Sequence, residues 1–390
     1  MRPLKKTKTV LKSLGQCSFY RNGEPSAVDV QDGRVIRIRP YHYDSKYTKE
    51  EINPWKIERN WKVLEPLMKS QIAPYQVAYK KRTYSPNRIK YPLKRVDWDP
   101  NGERNPQNRG KSKFKRISWD EATTIIASEI KRIQETYGPY ALLCHGDGHG
   151  ETKTIHGPHS CHMLLMEKAG GYTQAVRNAD SWEGWYWGAE HVWGTGQQGH
   201  MMPADNILKD IIDYTEMLVH IGADLETTPW GFSGQFPSRV CFFFTSIGIK
   251  QVFVCPDLNY SAAIHADKWI PILPNTDAAL HLAIAYTWIT EGTYDKDYVA
   301  THVVGFDKFS DYVMGKTDGV PKTPEWASEK CGVPEWTIKA LAREWASKIT
   351  STLHFYGGSY IRGAYSHEPA RLECCLLGMQ GLGKPGIHQY

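Results

Sequence analysis

The sequence predicts an α/β chain, doubly wound around parallel strands and preceded by a basic, β-rich N-terminal region. Three observations carry that reading. From residue 117 onward, short apolar runs alternate with segments of helical periodicity. The runs 217–221, 251–254 and 269–273 are continuously apolar and end in small or acidic residues, as strands buried on both faces do. Charge divides the chain: residues 1–116 hold 28 Lys and Arg against 11 Asp and Glu, and the remainder holds 20 against 31.

At 390 residues and 41% hydrophobic, the chain can bury a core spread over two or three domains. No window approaches the ~20 apolar residues of a bilayer span. The basic start, Met1-Arg-Pro-Leu-Lys-Lys-Thr-Lys, leads into no apolar stretch and has no twin arginine, so a cytoplasmic protein is expected. Eight cysteines include no Cys-x-x-Cys pair, which predicts reduced thiols rather than a disulfide or metal framework. The basic first third mixes with acids and Pro-rich turns and carries no nucleic-acid motif. An anionic cofactor or an acidic partner suits it at least as well as nucleic acid.

Taken in order, 27–40 reads as a hairpin with an Asp32-Gly33 turn. The rest, up to Arg116, reads as extended wrapping chain. Ser118 with Glu121 three residues on marks a helix start. Ala122, Ile125, Ile126, Ile130, Ile133 and Tyr137 recur on one face, and Gly138-Pro139 stops the helix. A strand over 140–144 runs into the glycine-rich 145–150, which places His145 and His149 at a strand end, where α/β sheets bind ligands. Helical spacing over 152–169 scatters His156, His159, Cys161 and His162 over different faces, so they are not read as a metal site. After the three middle strands, helices are predicted over 278–290, near 296–314, and from the Pro-Glu-Trp starts at Pro324 and Pro334. A strand over 352–356 and a helix over 369–378 close the chain. Asp257 and Asp277 sit at strand ends, suited to a ribose or a guanine but equally to helix capping.

One stretch stands apart. Residues 178–188 read Asn-Ala-Asp-Ser-Trp-Glu-Gly-Trp-Tyr-Trp-Gly. An acid, Asp180, adjoins a hydroxyl, Ser181. Trp182, Trp185, Tyr186 and Trp187 offer flat apolar walls that suit an aromatic ring, or that wedge a structural loop against a core.

The motifs Ile117-Ser-Trp-Asp-Glu-Ala, Tyr137-Gly-Pro, Ala266-Asp-Lys-Trp, Asn275-Thr-Asp-Ala-Ala-Leu and Gly332-Val-Pro resemble the molybdopterin oxidoreductases of the dimethyl sulfoxide reductase family. Four further stretches resemble the large subunits of its branch that moves hydroxyl groups between polyhydroxylated benzenes. These are Asp99-Pro-Asn-Gly-Glu-Arg-Asn-Pro-Gln, Asp180-Ser-Trp-Glu-Gly-Trp, Ala285-Tyr-Thr-Trp and Met379-Gln-Gly-Leu-Gly-Lys-Pro-Gly. The resemblance implies two interleaved doubly wound domains. Residues 1–115 form the basic region, 116–190 the first part of a discontinuous domain, 191–349 a Rossmann-like dinucleotide-binding domain, and 350–390 the return to the discontinuous one. The family fold runs on past a segment like 383–386, so the C-terminal part of the fold is expected to be missing from this chain.

By the same resemblance the cofactor is a bis-molybdopterin guanine dinucleotide with molybdenum, or tungsten, and Ser181 is the metal ligand. A serine alkoxide is a hard donor for a hard metal. Asp180 meets the phenolic substrate and His149 is the acid/base, with His145 second. Trp182, Trp185 and Tyr360 line the pocket. Gly222, Asp224, Glu226, Thr227, Asp257, Asp277 and Gly358 hold the dinucleotide. Only Cys17 stands where many relatives carry an iron–sulfur motif, so no cluster is expected in this chain. The expected partner is an iron–sulfur small subunit, with neither nucleic acid nor membrane involved. Ser359 and Tyr360 replace a Trp-containing loop of the relative, which leaves the substrate open. The implied activity is molybdenum-dependent hydroxyl transfer. The alternatives are reductive catechol dehydroxylation or another molybdopterin oxidoreductase reaction, and a non-catalytic nucleotide-binding or docking chain.

Overall fold

The computed structural model describes residues 7–13, 25–72, 74–145, 161–175, 183–194, 204–227, 236–354, 360 and 363–389. They form two compact units. One comprises residues 1–41 and 72–177, the other 42–71 and 178–390. Part of the basic N-terminal segment therefore packs with the C-terminal unit.

In the first unit, β1 (Lys8–Ser13), β2 (Pro25–Gln31) and β3 (Arg34–Pro40) make an antiparallel sheet with β2 in the centre. Asp32 and Gly33 both adopt positive φ, 50° and 74°. That pair is what a two-residue turn matched to strand twist requires, so the Asp-Gly hairpin forms as expected. Asp29 is buried in mid-strand. The Arg39 guanidinium, the Thr9 hydroxyl (2.7 Å) and the Arg37 guanidinium hold its carboxyl well below the usual range. Helix α1 (Pro74–Thr83) docks on β3: Lys80 Nζ donates to the Ile36 carbonyl at 2.7 Å, and the Val35 N–H donates to the Tyr84 hydroxyl at 2.8 Å. This helix was not expected, because its apolar residues do not recur at three- and four-residue steps.

Strands β4 (Leu93–Arg95) and β5 (Phe114–Arg116) pair antiparallel ahead of α2 (Trp119–Tyr137). Ser118 Oγ caps α2 by accepting the Glu121 N–H at 3.0 Å, and Gly138 ends it at φ 83°. The strand expected over 140–144 begins late. Pro139 opens a 3₁₀ turn, Pro139–Ala141, so that β6 is Leu143–His145. It pairs in parallel with β7 (Thr173–Ala175), and α3 (Cys161–Lys168) precedes β7 in the chain. Cys161 and His162 lie on α3, while His156 and His159 fall outside the described residues. No cluster of three or more metal-binding side chains occurs among those described.

The second unit is built on a four-stranded, wholly parallel sheet. After α4 (Glu183–Trp193) and α5 (Ala204–Tyr214) come β8 (Met217–Ile221), α6 (Phe236–Ser246), β9 (Lys250–Val254), α7 (Tyr260–His265) and β10 (Lys268–Ile270). Then follow α8 (Asp277–Glu291), α9 (Lys296–His302), α10 (Phe306–Val313), α11 (Pro324–Cys331), α12 (Glu335–Ala346), β11 (Thr350–Leu353) and α13 (His367–Gln380). The strand order is β10-β9-β8-β11. Met217, Val219 and Ile221 face a core with α8, α11, α12 and α13, and Leu218 faces α5 and α6 on the other side. Cover on both faces is why these strands are apolar throughout rather than alternating. β10 stops before the expected 273 because Pro271 has no N–H for the ladder. β11 opens earlier than 352, since Thr350 and Ser351 are buried although polar. Ser351 spends its hydroxyl on the Gly386 carbonyl at 2.8 Å.

Trp288 of α8 and Trp345 of α12 pack edge to face, ring centres 5.6 Å apart, and the Trp288 indole donates to the Ala342 carbonyl at 2.7 Å. Helices α4 and α13 cross at Gly188, where a β-carbon would stand 2.2 Å from the His367 carbonyl oxygen. No described helix is long and apolar enough to cross a membrane.

Candidate functional site

The strand order places a topological switch point in the second unit. The chain steps outward from β8 through β9 to β10, then returns to the other side of β8 as β11. After β8 the chain returns as α6 on one face of the sheet, and after β11 as α13 on the other; the carboxyl ends of two such strands are the usual ligand position in an open parallel sheet.

The β8 loop begins at Gly222, in the left-handed region at φ 61°, with its N–H donating to the Val254 carbonyl at 2.9 Å. Asp224 is occupied internally. One carboxylate oxygen accepts the Ser261 hydroxyl at 2.8 Å and the backbone N–H groups of Glu226, Thr227 and Ser261 at 3.3 Å; the other accepts the Thr227 hydroxyl at 2.5 Å. Asp224 thus ties the β8 loop to α7, and Thr227 spends its hydroxyl on the same tie. Glu226 accepts from His265 Nε2 at 2.7 Å. His265 Nδ1 is buried and has no partner among the described residues. The next loop adjoins this one, since the Asn259 amide donates to the Ala223 carbonyl at 3.1 Å. Asp257 there is exposed. The Cys255 thiol beneath it donates to the Asp257 carbonyl, and burial pushes that thiol up to about 11.

The second cluster gathers at the end of β11. Asp277 opens α8, where burial pushes its carboxyl up to about 6. One turn on, His281 shares a hydrogen bond with the Tyr360 hydroxyl at 3.1 Å. Burial pushes the His281 ring down to about 4. Tyr360 itself is 8% exposed, with φ 58°. Burial, with the Glu373 and Asp277 carboxyls nearby, raises its phenol well above the ordinary value. Glu373 is wholly buried and accepts from His354 Nε2 (2.8 and 2.9 Å), the Thr352 hydroxyl (2.7 Å) and the Gln389 amide (2.7 Å). Burial pushes its carboxyl up, but the His354 imidazole and the Thr352 hydroxyl outweigh that and hold it at about 2. The Asn275 amide donates to the Ala364 carbonyl at 3.2 Å, joining the loop before α8 to the one before α13.

The predicted dinucleotide residues therefore fall into two neighbourhoods. Gly222, Asp224, Glu226, Thr227 and Asp257 line the ends of β8 and β9, while Asp277 stands with Tyr360 near the end of β11. His149, Asp180, Ser181, Trp182 and Gly358 lie outside the described residues. Trp185 is on α4, but its side chain is outside them, as is that of His145 at the end of β6. Tyr360 turns its hydroxyl toward His281 inside the unit rather than standing free. The sequence reading passed over His281, His354 and Glu373. Their signal was available: Glu373 shares a helix face with Ala370, Leu376 and Leu377, all buried, where a carboxylate is out of place.

The decisive finding comes from comparison with known proteins. The family described as Molybdopterin oxidoreductase matches residues 88–367. The chain belongs to the molybdopterin oxidoreductase family. Ahead of that match, residues 24–82 match the family described as Pyrogallol hydroxytransferase large subunit-like, domain 1. The pyrogallol hydroxytransferase large subunit of Pelobacter acidigallici is 42% identical over 94% of this chain and 43% of its own length. The dimethyl sulfoxide/trimethylamine N-oxide reductase of Rhodobacter capsulatus is 34% identical over 78% of this chain and 37% of its own. The trimethylamine-N-oxide reductase of Vibrio cholerae is 31% identical over 78% and 37%. The chain thus spans less than half the length of these relatives. Family membership implies a molybdopterin cofactor with molybdenum. The described residues can meet the polar end of such a group: a left-handed glycine lets the β8 loop backbone come close to it, and the exposed Asp257 carboxylate on the next loop can accept hydrogen bonds from it.

Proposed function

We propose that this molybdopterin oxidoreductase chain takes part in moving a hydroxyl group between polyhydroxylated benzenes. The observation that carries the proposal is the 42% identity, over 94% of the chain, to a relative named as a pyrogallol hydroxytransferase large subunit. When bound, molybdenum supplies Lewis acidity and a reversible change of oxidation state. Ser181 would hold it through its side-chain oxygen. Asp180, the next residue, would hold the phenolic proton of the substrate, and His149 would give and take protons at the ring, with His145 the second choice. Trp182 and Trp185 would stack on the ring, and Tyr360 would support the pocket from behind, its hydroxyl being committed to His281.

The dinucleotide is read as the guanine form. Gly222, Glu226, Asp257, Asp277 and Gly358 would meet it, while Asp224 and Thr227 would act by shaping the β8 loop. The chain divides into four parts, 1–115, 116–190, 191–349 and 350–390, with 191–349 as the dinucleotide-binding domain. A cytoplasmic setting and an iron–sulfur small subunit complete the reading, the latter supported by the words "large subunit" in the relative's name.

Ser181→Ala in the full-length protein is expected to abolish hydroxyl transfer and to lower bound molybdenum. Normal turnover with normal metal content would rule the assignment out. The similarity to two reductases favours one second reading, a reductive catechol dehydroxylase. Hydroxyl transfer conserves the hydroxyl count with no added reductant. Net loss of hydroxyl that requires a reductant would select the second reading instead.

A further inference from the structure

The geometry points to Glu373 as a positioning residue for the carboxyl end of β11: its carboxylate gathers His354, Thr352 and Gln389, and His354 and His281 together set Tyr360 beside that strand end. The assignment rests on the reading above only in taking that strand end as the cofactor side.

Glu373 lies on α13, at 0% exposure, with three donors from two other pieces of chain, the end of β11 and the C-terminal segment. Thr352 belongs to β11, His354 is the first residue after it, and Gln389 forms an isolated parallel bridge back to Thr352. The Tyr360 ring lies 5.6 Å from that of His354, the imidazole that Glu373 holds. On its far side it meets His281 of α8. One carboxylate therefore ties a helix, a strand end and the segment carrying Gln389 together. An apolar residue would fill the same space without desolvating a charge, so packing alone does not ask for a carboxylate here. What the carboxylate adds is direction. Charge-assisted bonds to an imidazole and an amide fix the rotamers of both partners. The His354 ring so fixed and the His281 hydrogen bond flank Tyr360, whose backbone takes a left-handed conformation that a non-glycine residue seldom adopts.

Hydrogen exchange read by mass spectrometry on the full-length protein tests this, in three variants. Glu373→Gln keeps the shape and removes the charge, Glu373→Asp keeps the charge and shortens the arm, and Tyr360→Phe removes one hydroxyl. Peptides carrying His354 and the turn at 363–366 are expected to exchange roughly tenfold faster in Glu373→Gln, with β8 and β9 unchanged. Glu373→Asp should fall between wild type and Glu373→Gln. Tyr360→Phe should speed the 363–366 turn alone, and adding it to Glu373→Gln should produce little further change. Should Gln restrain the segment as well as or better than Asp, or should exchange rise evenly across the sheet strands, Glu373 is only a packing residue and the inference fails. If Glu373→Gln does not fold, the Tyr360→Phe arm decides: unchanged exchange at 363–366 overturns the inference. None of these readings needs turnover, so their failure leaves the Ser181 assignment untouched, and failure of Ser181→Ala leaves them standing.

Discussion

Substituting Gly188 by alanine probes how the aromatic stretch is seated. The added β-carbon would lie 2.2 Å from the His367 carbonyl oxygen and 2.8 Å from the Ala370 β-carbon. Comfortable contact is roughly 3.5 Å, so α4 and α13 must part by about 1 Å. The obstacle is backbone at the start of α13, which cannot swing away as a side-chain tip would. Overpacking of this kind costs about 1–3 kcal/mol. With backbone as the obstacle the cost falls in the upper part of that range, about 2–3 kcal/mol. Alanine recovers about 1 kcal/mol of helix propensity relative to glycine, leaving a net loss of about 1–2 kcal/mol. Gly188→Ser should lose more, having a larger group in the same gap and a weaker helix preference. The assay is denaturant unfolding followed by a signal from the second unit, where the midpoint should fall with an unchanged slope. A variant that matched wild type, or gained the ~1 kcal/mol that propensity alone supplies, would refute the close crossing.

Two further predictions concern acids at the ends of the scale. Asp29 titrates lower in the folded protein than in an unfolded chain. Its contribution is complete above about pH 4 and is lost as pH falls through the folded value. Asp29→Asn should therefore cost about 1 kcal/mol at pH 7, a modest figure because Arg37 is largely exposed, and should flatten the acid limb of a stability-against-pH curve. An acid limb as steep as that of wild type would count against the cluster. Asp277 is displaced the other way, to about 6, so its ionised form is disfavoured in the fold and stability declines as pH rises from about 4 through 6. Asp277→Asn should gain about 1–2 kcal/mol at pH 8 and nothing below about pH 4, measured by thermal or denaturant unfolding. Equal stabilities at pH 8 would show that the carboxyl is not strained there.

Where local chemistry decides, the amino-acid sequence was sufficient. Asp32-Gly33 turns because both positions accept positive φ, Ser118 caps because its oxygen reaches the Glu121 N–H, and β8 and β9 are strands because both faces are covered. The family motifs are likewise strings of adjacent residues, and their resemblance pointed to the molybdopterin oxidoreductases before any fold was in view. Order across the sheet was not legible: nothing in residues 350–353 says that β11 returns beside β8, yet that return makes the switch point. Nor does Asp224 announce that its carboxylate is spent on Ser261 and Thr227, or Glu373 that it is enclosed by His354, Thr352 and Gln389. Capping and turns depend on neighbours a few bonds away, so composition and spacing encode them. Burial of a charge and the pairing of distant strands depend on partners tens to hundreds of residues off, and only the packed chain selects those.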